Sequence, residues 1–104
     1  MAEIAVTSNG AAVTASVGDQ VRLELPENPT TGFRWQLVTF GAGLLRPLGD
    51  EYVPSGGTAV GSGGLRVFRF SAASPGAADI RLELNRPWET QPAREEFVAR
   101  VLVS

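Results

Sequence analysis

Residues 20–25 read QVRLEL, and hydrophobic and polar side chains alternate along the whole stretch. Val21, Leu23 and Leu25 would share one face of a β-strand, because successive side chains of a strand point to opposite faces. Residues 79–84 read DIRLEL and repeat the pattern. Segments that are apolar on one face and charged on the other predict strands that cover a core and meet water outside.

Short alternating segments of this kind recur along the chain, separated by turn sequences such as SNG, VGD, PSGG and SPG. This spacing is typical of an all-β sandwich or barrel. We predict strands near residues 20–25, 33–40, 46–53, 65–72, 77–85 and 95–103, with one or two more before residue 17.

Two of these segments are less regular than the others. The segment 33–40 alternates less cleanly, and we interpret it as a more central strand. The segment 93–103, AREEFVARVLV, could also form an amphipathic helix. Its valine-rich end and its setting among strands favour a last strand.

The composition suits one domain, residues 1–104, that is large enough to bury a core. Hydrophobic residues make up 43% of the chain and charged residues 19%. The net charge of −2, with arginines and acids interspersed, argues against nucleic acid or a membrane as partner. No apolar run could span a membrane, and the N-terminus MAEIAVTSNG lacks the features of a signal peptide. Localisation stays open between the cytoplasm and export with the signal removed.

The chain contains no cysteine and no histidine, which removes the thiolate nucleophile, the commonest general base and the commonest metal ligand. An enzyme would need paired carboxylates or a metal held by oxygen ligands alone. The adjacent pairs 50–51 and 95–96 are acidic, but their side chains would point to opposite faces of a strand. We therefore expect no enzyme, no metal site and no cofactor.

Three connections have unusual sequences, at residues 26–32, 54–64 and 86–94. They are alternate connections in the predicted strand order. If successive strands run antiparallel, alternate connections emerge at the same end of a sandwich, as antigen-binding loops do. We therefore expect these three to cluster.

The first connection ends within NPTTGF, residues 28–33, whose Phe33 begins the next predicted strand. An ordinary turn would explain Pro29, which fixes φ, and Gly32, which supplies an unusual backbone conformation. It would not explain the adjacent Thr30 and Thr31, because tight turns rarely need two β-branched residues at their tip. Exposed hydroxyl and methyl groups on a stiff loop suit a contact surface.

The second connection, PSGGTAVGSGG at residues 54–64, holds five glycines. A flexible solvent loop is the plain interpretation. A phosphate site is poorly supported, because no lysine follows the glycines and no helix begins there. Glycines also allow one backbone to lie along another, as in strand addition.

The third connection begins within NRPWETQP, residues 85–92, in which Trp88 follows Arg86 and Pro87. Trp88 could be a core residue packed on a proline. A tryptophan with polar neighbours on both sides is more often an interface anchor, and Trp and Arg dominate binding hot spots. Trp35 alternates with polar residues inside a strand, and we assign it to the core.

Together, NPTTGF at 28–33, GSGG at 61–64 and RPW at 86–88 resemble the signature loops of the chagasin family, which inhibits papain-like cysteine proteases. The resemblance covers about residues 15–103. It implies an all-β, immunoglobulin-like β-sandwich of seven to eight mostly antiparallel strands. It also implies reversible, tight occlusion of the protease cleft by three loops, at residues 28–33, 54–64 and 86–91.

The resemblance further implies a role for each loop and a monomer when free. Thr30 and Thr31 would sit over the catalytic cysteine–histidine pair, and the glycine loop would run along the unprimed side of the cleft. Trp88 would pack on the primed side, with Arg86 nearby for polar contact. The expected protease-binding residues are Asn28, Pro29, Thr30, Thr31, Gly32, Phe33, Gly61, Ser62, Gly63, Gly64, Arg86, Pro87 and Trp88. The alternative is an immunoglobulin-like adhesion or ligand-binding module with no protease target.

Overall fold

The alternating segments of the sequence form β-strands in the computed structural model, which describes residues 2–28, 31–41, 43–54, 63–86, 88 and 94–104. In this part of the chain there is no helix that is long and apolar enough to cross a membrane. The described residues form eight strands. These are β1 Glu3–Val6, β2 Ala12–Ala15, β3 Gln20–Glu27, β4 Arg34–Thr39, β5 Leu45–Pro54, β6 Gly64–Ala72, β7 Gly76–Asn85 and β8 Glu95–Val103.

The strands build two sheets of four, with the orders β1-β3-β6-β5 and β2-β8-β7-β4. The short strands β1 and β2 run parallel to β3 and β8, respectively. The other pairings between described strands are antiparallel. The prediction of an all-β sandwich with seven to eight mostly antiparallel strands is confirmed, and so is the last strand at residues 95–103.

The interpretation of residues 33–40 as a central strand is wrong, because β4 lies at the edge of its sheet. The pairing of β4 with β7 shifts register between Leu37 and Thr39. A β-bulge of this kind interrupts the alternation of faces. Val38, which is 48% exposed, falls at this irregularity. The irregular sequence pattern therefore reflects a bulge at a sheet edge.

The core lies between the two sheets and consists of the residues that the alternation places on one face. Val21, Leu23 and Leu25 of β3 are fully buried, and Ile80 and Leu82 of β7 meet them from the other sheet. Full burial of each such aliphatic side chain contributes about 1.5–3 kcal/mol. This burial holds the two sheets together and gives the connecting loops a rigid support.

The strand register brings the ends of the three connections to the same end of the sandwich. Gly64, the first residue of β6, pairs with Glu27 on one side and Pro54 on the other. In the second sheet, Arg34 pairs with Asn85 where β4 begins and β7 ends. The predicted clustering of the three connections is therefore confirmed. We call this end of the sandwich the loop end, and its connections 28–33, 54–64 and 86–91 the first, second and third loops.

Candidate functional site

The first loop is shaped by hydrogen bonds made by Thr31. Its hydroxyl donates to the Asn28 carbonyl oxygen at 2.8 Å and accepts from the Phe33 backbone N–H at 3.3 Å. Its backbone N–H donates to the same Asn28 carbonyl at 3.2 Å. Thr31 is exposed, and Pro29 and Thr30 lie outside the described residues. The hydroxyl predicted as contact surface therefore also holds the turn together.

Gly32 is the contact point between the first and third loops. Its φ of +79° belongs to the left-handed region that favours glycine. A Cβ atom at this position would lie 2.6 Å from Cη2 of Trp88 and 3.2 Å from Cζ2. The glycine therefore allows both the turn and the close approach of the indole ring. Trp88 is otherwise 71% exposed, which excludes the interpretation as a core residue.

Arg86 connects the base of the third loop to the first loop. Its Nε donates to the Thr31 carbonyl oxygen at 3.1 Å, and its guanidinium carbon lies 4.4 Å from the centre of the Phe33 ring. The guanidinium carbon of Arg94 lies 4.9 Å from the same ring centre. Both distances are within the range of cation–π interactions. The Phe33 ring therefore contacts one arginine at the start of the third loop and another just after its end. Pro87 lies outside the described residues.

Two glycines at the end of the second loop permit close backbone contact. Gly63 has a φ of +76°, and a Cβ there would lie 3.4 Å from the Glu27 carbonyl oxygen and 3.6 Å from Cβ of Asn28. A Cβ on Gly64 would collide with the Val53 carbonyl oxygen. Gly63 therefore allows the described end of the second loop to lie against the start of the first, and Gly64 allows close packing on β5. Gly61 and Ser62 lie outside the described residues.

A groove of about 460 Å³ opens among these elements at the loop end. It combines residues of the first loop with Gly63 and Gly64 at the end of the second loop and with Arg94, which follows the third loop. The lining residues are Pro26, Glu27, Asn28, Thr31, Phe33, Gly63, Gly64, Leu84, Arg94 and Glu95. The groove therefore joins the first loop to the described end of the second, and the contacts of Trp88 and Arg86 join the first loop to the third.

A buried ion pair lies beneath this surface. The Glu27 side chain is 1% exposed, and its Oε1 lies 2.9 Å from Nη2 of Arg66, whose side chain is 12% exposed. The Trp35 backbone N–H donates to the other carboxylate oxygen of Glu27 at 3.0 Å. The pKa of Arg66 is raised, chiefly by its hydrogen bond to Glu27. Burial opposes this shift because it disfavours a charged guanidinium.

Sequence reasoning did not identify Glu27, Arg66 or Arg94 as part of the site. A signal existed for the first two, because each continues a core-facing alternation: Glu27 follows Leu25, and Arg66 precedes Phe68. A charged residue at a core position needs a buried partner. Arg94 had no comparable signal, since it lies outside the regular alternation.

The two adjacent acidic residues of β5, Asp50 and Glu51, are paired with different arginines. Asp50 pairs with Arg66, and Glu51 pairs with Arg69. Within the described ranges, no group of three or more side chains could hold a metal ion. The arrangement at the loop end presents an indole ring, backbone groups and a hydroxyl, which are suited to binding another macromolecule.

The sequence of this chain is similar to those of known protease inhibitors. The sequence profile of the family described as "Chagasin family peptidase inhibitor I42" matches residues 14–101. Chagasin from Trypanosoma cruzi is 33% identical over 94 residues, which cover 84% of this chain and 82% of that protein. Residues 14–101, which match the family profile, contain all three loops.

Solved structures share the fold along almost the whole chain. The crystal structure of the cysteine protease inhibitor EhICP2 from Entamoeba histolytica superposes with a TM-score of 0.86 at 20% identity, covering 99% of this chain and 96% of that one. PbICP-C, in a complex with falcipain-2, gives 0.65 at 17% identity, covering 98% and 89%. The expected immunoglobulin-like sandwich is confirmed by these likenesses.

Proposed function

This chain belongs to the chagasin family of peptidase inhibitors, and we propose that its loop end binds reversibly and tightly in the active-site cleft of papain-like cysteine proteases. Members of an inhibitor family are not enzymes, which agrees with the expected lack of catalysis. The observation that carries the proposal is the contact between the exposed Trp88 ring and Gly32. This contact makes the first and third loops one surface.

In the proposed complex each loop has a separate part of the cleft. The first loop, with Thr30 and Thr31 at its tip, covers the catalytic cysteine–histidine pair. The second loop lies along the unprimed side as an extended segment, and its glycines allow main-chain contact. Trp88 packs on the primed side as the aromatic anchor, and Arg86 adds polar contact.

Inhibition in this proposal results from preorganisation and requires no chemical step. Ordering a mobile side chain on binding costs about 0.5–1.5 kcal/mol, and a loop that is already ordered avoids much of that cost. The hydrogen bonds of Thr31 and the contact of Gly32 with Trp88 order the first loop in the free protein. A loop held in this way fills the cleft without presenting a peptide bond for attack.

Titration of a papain-like protease tests the proposal directly. Papain and cathepsin L would be incubated with increasing inhibitor, and the remaining activity measured on a fluorogenic peptide. We expect stoichiometric inhibition that reverses on dilution, and no inhibition of trypsin or pepsin. Mass spectrometry of the recovered inhibitor should show an intact chain.

Two outcomes would contradict the proposal in different ways. Cleavage within residues 28–32 of the recovered inhibitor would show that the first loop behaves as a substrate. Failure to inhibit several papain-like enzymes would leave an immunoglobulin-like adhesion or ligand-binding module as the better interpretation of the same loops.

A further inference from the structure

The two charged residues on the core-facing sides of β3 and β6 form a diagonal pair. Arg66 is opposite Leu25 in the ladder, and Glu27 is opposite Gly64. Diagonal neighbours on one face of an antiparallel pair are within reach of long side chains. The Arg66 guanidinium accordingly donates to Glu27 from both Nε, at 3.2 Å, and Nη2, at 2.9 Å.

Glu27 connects the two ends of the first loop, which are not hydrogen-bonded to each other as neighbouring strands of one sheet. The first loop crosses from β3 in one sheet to β4 in the other, so its two ends are not joined by strand pairing. Instead, the Trp35 backbone N–H donates to Glu27 at 3.0 Å. The Trp35 indole N–H donates to the Pro26 carbonyl oxygen at 2.8 Å. These two hydrogen bonds set the distance between the loop's ends.

Arg66 extends the same connection to the strand that leads into the second loop. Its Nη1 lies 3.0 Å from the Asp50 carboxylate, and its guanidinium carbon lies 5.8 Å from the centre of the Tyr52 ring. Both partners are on β5. The pair of Glu27 and Arg66 therefore connects β3, β4, β5 and β6, which are the four strands that flank the first and second loops.

We propose that Glu27 and Arg66 are positioning residues that hold the first loop at a fixed place relative to the second, and that protease binding depends on them more than folding does. The binding half of this proposal rests on the proposed function. The net contribution of a buried ion pair to stability is small, because loss of hydration offsets the attraction. Apolar side chains could fill the same space, but they could not accept the Trp35 N–H or bind Asp50.

The double variant Glu27→Met/Arg66→Met tests the proposal, because removing both charges leaves no unpaired charge in the core. We expect it to fold and to inhibit papain with an inhibition constant raised about tenfold, the effect of reordering one or two side chains on binding. The ¹⁵N order parameters of the Thr31, Gly32 and Phe33 amides should fall in the free protein.

Val101→Ala serves as the matched control. Val101 is fully buried and pairs with Val13 and Ala78, about 20 Å along β8 from Glu95 by strand rise. The cavity should lower the melting temperature, with no change in the inhibition constant or in the order parameters of the first loop. All proteins would be compared at a temperature at which each is fully folded.

The outcomes separate positioning from the proposed function. Wild-type order parameters in the first loop of the double variant would overturn the proposal, and so would a more mobile loop with an unchanged inhibition constant. If the double variant does not fold, the claim that folding depends little on the pair is overturned. Glu27→Gln, which keeps the shape and loses the charge, then decides by the same two measurements whether the pair positions the loop. If the wild-type protein inhibits no papain-like protease, the proposed function fails, while the order parameters still decide whether the pair positions the loop.

Discussion

The two tryptophans mark two regions that lie close together and are built in opposite ways. Trp35 is 7% exposed, and its ring meets the edge of Phe97 with 6.4 Å between centroids. Trp88 is 71% exposed, and Gly32 lies directly against its ring. One indole closes the base of the first loop from inside the sandwich. The other presents a large apolar surface to solvent at the loop end.

The difference shows that the base and the tip of the loop end depend on different interactions. At the base, Trp35 and Glu27 are buried and hydrogen-bonded, so a lost partner there leaves an unsatisfied polar group. At the tip, Arg86 and Phe33 make a partly exposed cation–π contact, which is worth about 0.5–1 kcal/mol. Removing the buried Trp35 at the base should therefore mainly reduce stability, and removing the exposed Trp88 at the tip should mainly reduce binding.

The largest effect is expected for Trp35→Ala, which should lower the free energy of unfolding by about 3–5 kcal/mol. Domains of this kind have about 5–15 kcal/mol in total, so the loss would remove a large share of the stability and would leave a protein at the low end of that range partly unfolded. Urea unfolding measures the loss. Trp35→Phe keeps a ring but removes the hydrogen bond to Pro26, and it should cost about 1–3 kcal/mol. Wild-type stability in Trp35→Ala would contradict the conclusion that the buried Trp35 stabilises the fold.

Trp88→Ala should weaken protease binding and leave the stability of the fold nearly unchanged. Because the side chain is largely exposed, the free energy of unfolding should change by no more than about 0.5 kcal/mol. Binding to papain should weaken by roughly 2 kcal/mol or more, about thirtyfold, as for an aromatic anchor. Fluorescence in the Trp35→Phe background isolates Trp88: acrylamide should quench it readily in the free inhibitor, and bound protease should protect it. An unfolded Trp88→Ala variant, or an unquenchable Trp88, would contradict the assignment.

Gly32→Ala tests the contact between the tip's two loops. The added Cβ brings a left-handed strain of about 1–2 kcal/mol and a collision with Trp88. Gly10 has a similar φ of +82°, but a Cβ there would meet no atom of the described residues within 4 Å, so Gly10→Ala carries the strain alone. Both variants should lose similar stability in urea unfolding, and only Gly32→Ala should lose inhibition, by about tenfold. Equal inhibition by the two would show that the position of Trp88 does not matter for binding.

Most of the fold could be predicted from the sequence, because the alternation along each strand determines which of its faces is buried. The exception is β4, where the bulge between Leu37 and Thr39 imitates the irregular pattern of a central strand. Whether a strand lies at an edge depends on which partners it finds in the sheet. Local periodicity carries little of that information.

The candidate site could be predicted only where its residues belong to recognisable loop motifs. The contacts of Gly32, Phe33 and Trp88 agree with the expected cluster. The pairing of Glu27 with Arg66 depends on ladder register between strands that are distant in sequence, which the alternation alone does not specify. The contact of Arg94 with Phe33 likewise depends on how the third loop returns to β8.

The smallest effect is expected at Thr31, and it tests whether the tip is held by its own hydrogen bonds. The hydroxyl accepts from the Phe33 N–H and donates to the Asn28 carbonyl, so it holds the conformation of the first loop in the free protein. Thr31→Val keeps the branched shape and loses the hydroxyl, while Thr31→Ser keeps the hydroxyl and loses the methyl group. Ordering a loosened side chain on binding costs about 1 kcal/mol, which corresponds to roughly fivefold weaker inhibition for Thr31→Val.

Thr31→Ser should stay close to the wild-type inhibition constant, and urea unfolding of both variants should be nearly unchanged because the residue is exposed. The order parameters of the Gly32 and Phe33 amides should fall in Thr31→Val and not in Thr31→Ser. If Thr31→Ser is instead the weaker inhibitor, the methyl group makes the contact and the hydroxyl does not preorganise the loop. If Thr31→Val loses several kcal/mol of stability, the tip contributes to folding as the base does, and the division between the two regions is wrong.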